Sequence, residues 1–429
     1  MRIPSAPQPR YHFVDTTRAA MMLLGVALHA RLSFVGAKRD EDLTGAAGSI
    51  SQLAYYFIHL FRMPVFFLIA GFCAALIYNR RGATEFMWNR FARIVMPLVV
   101  VWILFAPWIK AGHDFIDGDR TWNGLYISLM ACDWLDKPRL SYLWFLEYLA
   151  IYCALALVLL RIACRFSSAR RETFRKHFDR ILNSQFAPYV LSITTIAMLF
   201  SQNRVSLEHS MTVIPNWRPL VGFWVFFLVG WALYERQRPF EMFQRHWKRH
   251  GVAALLVTST YLYFLAHPVF KSDQRQLLLS APLAGVASWL MVYAIVGAAA
   301  TFLNTPNKSV RYLSDAAYWI YLVHFPLIIW TIALAAPLGF APWTLFAVVL
   351  TVATAVPLAS YHYCVRNTRL GELLNGKRAV LKPAANGPGV VVSDSPAIDV
   401  PPAALKLFDP SELGLPAPKP RTIPARRAA

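Results

Sequence analysis

Arg18 and His29 stand eleven positions apart in an otherwise apolar run, HFVDTTRAAMMLLGVALHA. On a helix that spacing is about three turns, or ~16 Å at ~1.5 Å per residue, so the two side chains lie near one face. An arginine at the edge of an apolar layer and an imidazole deep within it would suit a long molecule with an anionic head and a reactive far end. An acyl-CoA has that form, with phosphates for the arginine and a thioester for the imidazole. A neutral imidazole could serve as general base for an acceptor hydroxyl, or as a nucleophile that forms an acyl-imidazole. The residues leave both roles open. Asp15, three positions before Arg18, could orient it.

Other ionisable side chains also fall within apolar stretches: His59, Arg62, Glu147 and His324. Such residues are costly inside a membrane and mark functional sites by default. Together with Trp144 and Asp15 they are candidates for a pocket that holds the acyl group or its acceptor. Plainer readings stand beside this one. A lone histidine in a span often only hydrogen-bonds a neighbouring helix, and Arg62 and Glu147 could form a structural ion pair. The loop NRRGATEFMWNRFARIVMP adds Arg80, Arg81, Arg90 and Arg93. Arg90 and Arg93 are neighbours at i, i+3, and paired guanidiniums suit phosphate; read by themselves, they are better explained by simple charge anchoring. No P-loop, GxGxxG, HExxH or GxSxG is present.

The elements that must carry these residues follow from composition. The 429 residues are 57% hydrophobic and only 15% charged, against about 25% charged in soluble domains. This excludes a soluble globular protein and leaves an all-α polytopic membrane protein surrounded by lipid. A span needs about 20 mostly apolar residues. About ten transmembrane helices are expected, over 17–36, 52–78, 94–110, 142–163, 186–201, 219–235, 251–267, 277–303, 316–335 and 342–363. With the N-terminus inside, 31 of the 43 Lys and Arg fall on the inner side, 11 outside, and Arg62 within a span. The positive-inside rule then places both termini in the cytoplasm. The net charge of +20 therefore reflects topology and gives no support to nucleic-acid binding. Residues 1–365 form the expected membrane domain. Residues 366–429, rich in Pro and Ala, read as a disordered cytoplasmic tail. None of the five cysteines has metal-ligand spacing, so no metal is expected. Only Cys132 falls in an expected outer loop, and no cleavable signal peptide is visible.

Several segments resemble the acyltransferase 3 membrane family. They are the Arg-x10-His spacing, FRMPVFFLIAGF (61–72), RFARIVMP (90–97), LWFL (143–146) and YLVHFPL (321–327). The resemblance covers about residues 11–365. It implies transfer of an acyl group from a cytoplasmic donor to a glycan acceptor across the bacterial inner membrane. One branch of the family is associated with succinyl substitution of osmoregulated periplasmic glucans. For this chain that implies an O-succinyltransferase with succinyl-CoA as co-substrate, no permanently bound cofactor, a periplasmic glucan acceptor, and other glucan-biosynthesis proteins as partners. His29 takes the place of the family's essential histidine, Arg18 of its arginine partner, and Arg90 and Arg93 of the arginine pair. Many members carry a glutamate five residues after the tryptophan matched by Trp144, whereas here Glu147 follows by three. O-acetyl transfer to another surface glycan, a glycan transporter or flippase, and a scaffold are the competing readings.

Overall fold

A computed structural model of the chain describes residues 11–35, 46–118, 121–130, 134–136, 138–236, 238–267 and 273–375. Its helices are α1 His12–Ala30, α2 Leu32–Val35, α3 Ala46–Arg90, α4 Met96–Asp117, α5 Trp122–Met130, α6 Trp144–Ala163, α7 Ser168–Asn183, α8 Ala187–Gln202, α9 Trp217–Tyr234, α10 Glu241–Ala266, α11 Asp273–Phe302, α12 Lys308–Ala335, α13 Pro342–Ser360 and α14 Arg369–Asn375. Single π turns, Phe91–Val95 and Tyr361–Val365, lie between α3 and α4 and after α13. No strand is present among the described residues. The all-helical expectation holds for them.

Helices lie over all ten expected stretches. Six helical segments are long and apolar enough to cross a membrane, or seven if the bent pair α7–α8 is one span, among the described residues. Length and apolarity alone therefore do not reach the expected ten among the described residues. Asp15 and Arg18 dilute α1, and the first half of α10, EMFQRHWKRH, is polar. Two expected spans fall in one helical run, Gly48–Asp117. That run of 70 residues would extend ~105 Å if straight, against a hydrocarbon layer of ~30 Å. It breaks at Gly82, whose φ of 84° suits a residue without Cβ. The chain folds back there. Tyr78 and Phe86 come within 5.9 Å of each other and both pack on Trp231.

One end of the bundle collects the basic segments. Phe240, between α9 and α10, packs on Tyr11 and Phe13 at the start of α1. Arg236 bridges to Asp179 on α7 (3.3 Å). Several starts are capped in the usual way: Asn307 accepts from Ser309 N and Val310 N at α12, and Asn216 from Arg218 N at α9. At the opposite end Arg31 donates to Gln52 (3.1 Å), and residues 139–143 and 203–216 meet through an Arg139–Thr212 bridge. The expected tail starts with α14, where a Cβ on Gly371 would meet the Val365 carbonyl; 376–429 lies outside the described residues, as does Cys132. Cys73, Cys153, Cys164 and Cys364 are free thiols.

One buried apolar core runs through the bundle. α3 and α9 cross at its centre with backbones in contact. A Cβ on Gly71 would strike the Phe227 carbonyl, and one on Gly230 the Leu68 carbonyl. Small residues permit such approach where lipid supplies no hydrophobic drive between helices. Gly71→Leu is expected to abolish folded protein in the membrane, read as loss of a monodisperse peak after detergent extraction. The same change at Gly339, where an added Cβ meets nothing, serves as a local comparison that pays only for its positive φ.

Candidate active site

His29 ends a stripe on α1 that runs Arg18, Met22, Gly25, His29, at helical spacings of four, three and four. Its ring lies 5.5 Å from that of His324 on α12 and 5.3 Å from Phe325, centroid to centroid. His29 and His324 face a narrow cavity with Met21, Met22, Gly25, Arg62, Met63, Phe66, Tyr142, Trp144, Phe145 and Tyr321. Its open space is about 20 Å³, little more than one water-sized group. Three methionines line it, and their flexible side chains can yield to a substrate.

Two prolines explain how α12 and the first π turn are held. Pro326 has no N–H for the carbonyl four residues back, Leu322. Tyr142 Oη donates to that oxygen instead (2.5 Å). Tyr321 Oη returns a bond to the Tyr142 carbonyl (2.9 Å). Pro97 likewise leaves the Arg93 carbonyl without its helical donor, and Tyr318 Oη supplies one (2.6 Å). Ser141, next to Tyr142, has φ 51°, a left-handed conformation uncommon for a residue with Cβ. Tyr142→Phe leaves the buried Leu322 oxygen unpaired, which costs about 1–3 kcal/mol. The expected result is a lower unfolding midpoint in detergent; Tyr126→Phe, on the exposed face of α5, leaves it unchanged.

The same clasp fixes the state of His324. Its Nδ1 lies 2.7 Å from the Tyr321 carbonyl. A carbonyl only accepts, so Nδ1 carries the proton and Nε2 presents a lone pair. That Nε2 is buried without a hydrogen-bond partner. The His29 ring makes no hydrogen bond among the described residues. Arg62 on α3 is the cavity's cation. Its Nη1 occupies the space a Cβ on Gly25 would need, and its buried Nε has no partner. The neutral phenols of Tyr321 and Tyr55 lie within electrostatic reach, and no carboxylate among the described residues balances it. The Arg62–Glu147 pair considered from sequence does not form.

The other expected residues divide between the two ends. Trp144 lines the cavity and stacks on His209 (4.0 Å, 11°). His59 lies between Tyr55 (4.0 Å) and His209 (6.3 Å), with neither ring nitrogen bonded. Glu147 is buried with Oε2 unpaired but does not line the cavity. Arg18, Arg90 and Arg93 interact with one another at the basic end, apart from His29. Asp15 is there too, 4.0 Å from Arg18, and its carbonyl accepts from Ser314 Oγ. Sequence reasoning missed Gly25, Tyr142, Tyr321 and His209. The first is one turn before His29, and Tyr142 and Tyr321 adjoin or lie within segments already singled out. His209 sits in a loop with no motif at all.

A family model described as an acyltransferase domain matches residues 11–362. The chain belongs to the acyltransferase 3 family. It is thus a multi-pass membrane acyltransferase by family. It is also similar to glucans biosynthesis protein C of Escherichia coli strain K12 / DH10B and of Escherichia coli O81 strain ED1a. Each is 24% identical over 388 residues, 87% of this chain and 96% of the relative. No solved structure matches the chain. Family membership makes the His29–His324–Arg62 cavity the candidate site for the transfer step.

Proposed function

We propose that this chain is an O-acyltransferase of the bacterial inner membrane. It moves a succinyl group from a cytoplasmic acyl-CoA-type donor onto an osmoregulated periplasmic glucan. One observation carries the reading: two imidazoles and an arginine without a carboxylate partner line a single intramembrane cavity. Such a site supplies a base for a hydroxyl and a cation for an anionic acyl group. The name shared by the relatives supports a glucan acceptor.

Arg18, Arg90 and Arg93 hold the donor's phosphates, with the thioester reaching toward His29. An imidazole takes the proton from a glucan hydroxyl. The hydroxyl oxygen bonds to the acyl carbon, the carbon–sulfur bond breaks, and the thiolate leaves and receives that proton. Arg62 binds the free carboxylate of the succinyl group. His29 and His324 are the candidate bases, and the lone pair on His324 Nε2 is already aimed away from its backbone bond.

The test measures base-labile succinate on periplasmic glucans from cells with the wild-type gene, a deletion and His29→Ala. Loss of succinate in both mutants, with the glucan backbone still exported, supports the proposal. Glucan retained inside the cell would instead assign the chain to transport. Unchanged anionic substituents in the deletion would show that the acyl group or the acceptor is wrong.

A further inference from the structure

α8 and α10 pack on α11 from two sides and leave a groove with α11 as its floor. On the α8 side, Trp289 Nε1 donates to Thr195 Oγ1 (3.0 Å) and a Cβ on Gly285 would meet Ile196. On the α10 side, Tyr293 packs on Phe243 (4.4 Å) and His250 (5.4 Å). At the basic end the groove opens into a recess of about 330 Å³ lined by Gln185, Phe186, Tyr189, Arg249, His250 and Ala253. Arg249 Nη1 donates across the mouth to Gln185 Oε1 (2.5 Å), which occupies one of its five N–H groups. His250 is only 3% exposed, yet its Nε2 has no hydrogen-bond partner. The buried Tyr293 hydroxyl beside it is also unpaired. A buried polar atom without a partner is rare enough to need an explanation.

The surroundings indicate what that explanation is. Away from the mouth the helices carry exposed apolar side chains: Ile193 on α8 and Leu256 on α10. α7 turns 104° into α8 beside the recess. It carries Arg170, Arg171, Arg175, Lys176 and Arg180 on its exposed surface, with Phe174 72% exposed among them. A basic amphipathic helix of this kind lies along a membrane surface. No carboxylate lines the recess. A polar mouth at the level of the surface helix, continuous with an apolar slot, matches a molecule with a phosphate head and acyl chains.

We propose that this recess binds the phosphate headgroup of an anionic phospholipid, with an acyl chain lying in the groove between α8 and α10. Arg249 pairs with the phosphate, and His250 Nε2 and Tyr293 Oη bond polar atoms of the head. The bound lipid joins the α7–α8 bend to α10, which otherwise meet at the mouth through the Arg249–Gln185 bond.

The test uses the full chain, delipidated and offered equal amounts of phosphatidylglycerol and phosphatidylcholine of the same chain length. Retained lipid is counted by native mass spectrometry. The wild type is expected to keep phosphatidylglycerol by roughly tenfold, the scale of one or two charge-assisted contacts. Arg249→Gln with His250→Gln should reduce that preference to about twofold. Arg218→Gln, a charge lost at the opposite end, should leave it intact. If the double variant fails to fold, Ala253→Trp fills the recess without removing charge and should give the same loss. Equal retention of both lipids by the wild type overturns the site. So does a preference that survives these substitutions. Displacement by glycerol 3-phosphate, which lacks acyl chains, would assign the recess to a soluble phosphate and overturn the lipid.

Discussion

His29→Ala is expected to abolish acyl transfer while leaving the protein folded in the membrane. The side chain borders open space and makes no hydrogen bond among the described residues, so its removal unpairs nothing. What is lost is a base or nucleophile, worth typically 10²–10⁴-fold in rate. The measurement is ester formed per unit of monodisperse purified enzyme, with donor and acceptor supplied. Full activity in this variant would remove His29 from the chemistry. The two roles for the imidazole separate when acceptor is withheld. A nucleophile releases about one equivalent of CoA per enzyme in a burst. A base releases none. The 5.5 Å between the His29 and His324 rings makes His324→Ala the natural companion, since an imidazole that works through its neighbour loses activity with either substitution.

Arg62→Gln carries the second large effect, and its sign depends on the donor. Removing one partner of a buried, hydrogen-bonded charge pair typically costs about 2–5 kcal/mol, a factor of roughly 30 to a few thousand. If Arg62 binds the distal carboxylate, succinyl transfer falls by that factor while acetyl transfer, which has no such carboxylate, changes little or rises. Equal losses with both donors would mean that the guanidinium faces the reacting oxygen instead. Retained succinyl transfer would mean that the anion lies elsewhere. The variant also removes a buried charge without a carboxylate partner, so a stability no lower than wild type is expected in a thermal scan.

Much of the arrangement was legible in the sequence. The eleven-residue spacing placed Arg18 and His29 on one face, and the structure keeps that face as the stripe through Met22 and Gly25. The apolar stretches all became helices. The two expected spans within Gly48–Asp117 are separated by the break at Gly82, but hydropathy along a chain cannot distinguish a crossing from a half-polar helix such as α10, so the full count of ten is not matched by length and apolarity alone. His324 and Arg62 were visible as polar residues in apolar runs, but nothing in their spacing relates α3 to α12. That relation comes from tertiary packing, as does His209, which arrives from a loop. The tyrosine clasps escaped for a different reason. Tyrosines at the ends of apolar runs look like an aromatic belt, and only the position of Pro326 relative to Leu322 marks one of them as a donor to backbone.

That proline gives α12 a single address. A helix held only by side chains packed in grooves can creep along or rotate about its axis, since neighbouring ridges are nearly equivalent. A helix gripped at one bare carbonyl oxygen resists this, because Pro326 is the proline inside α12 and leaves Leu322 as the oxygen without its helical donor. The cavity therefore inherits a fixed datum for its imidazole two residues away. Methionines around it can give way to a bulky guest while the reacting group stays in register.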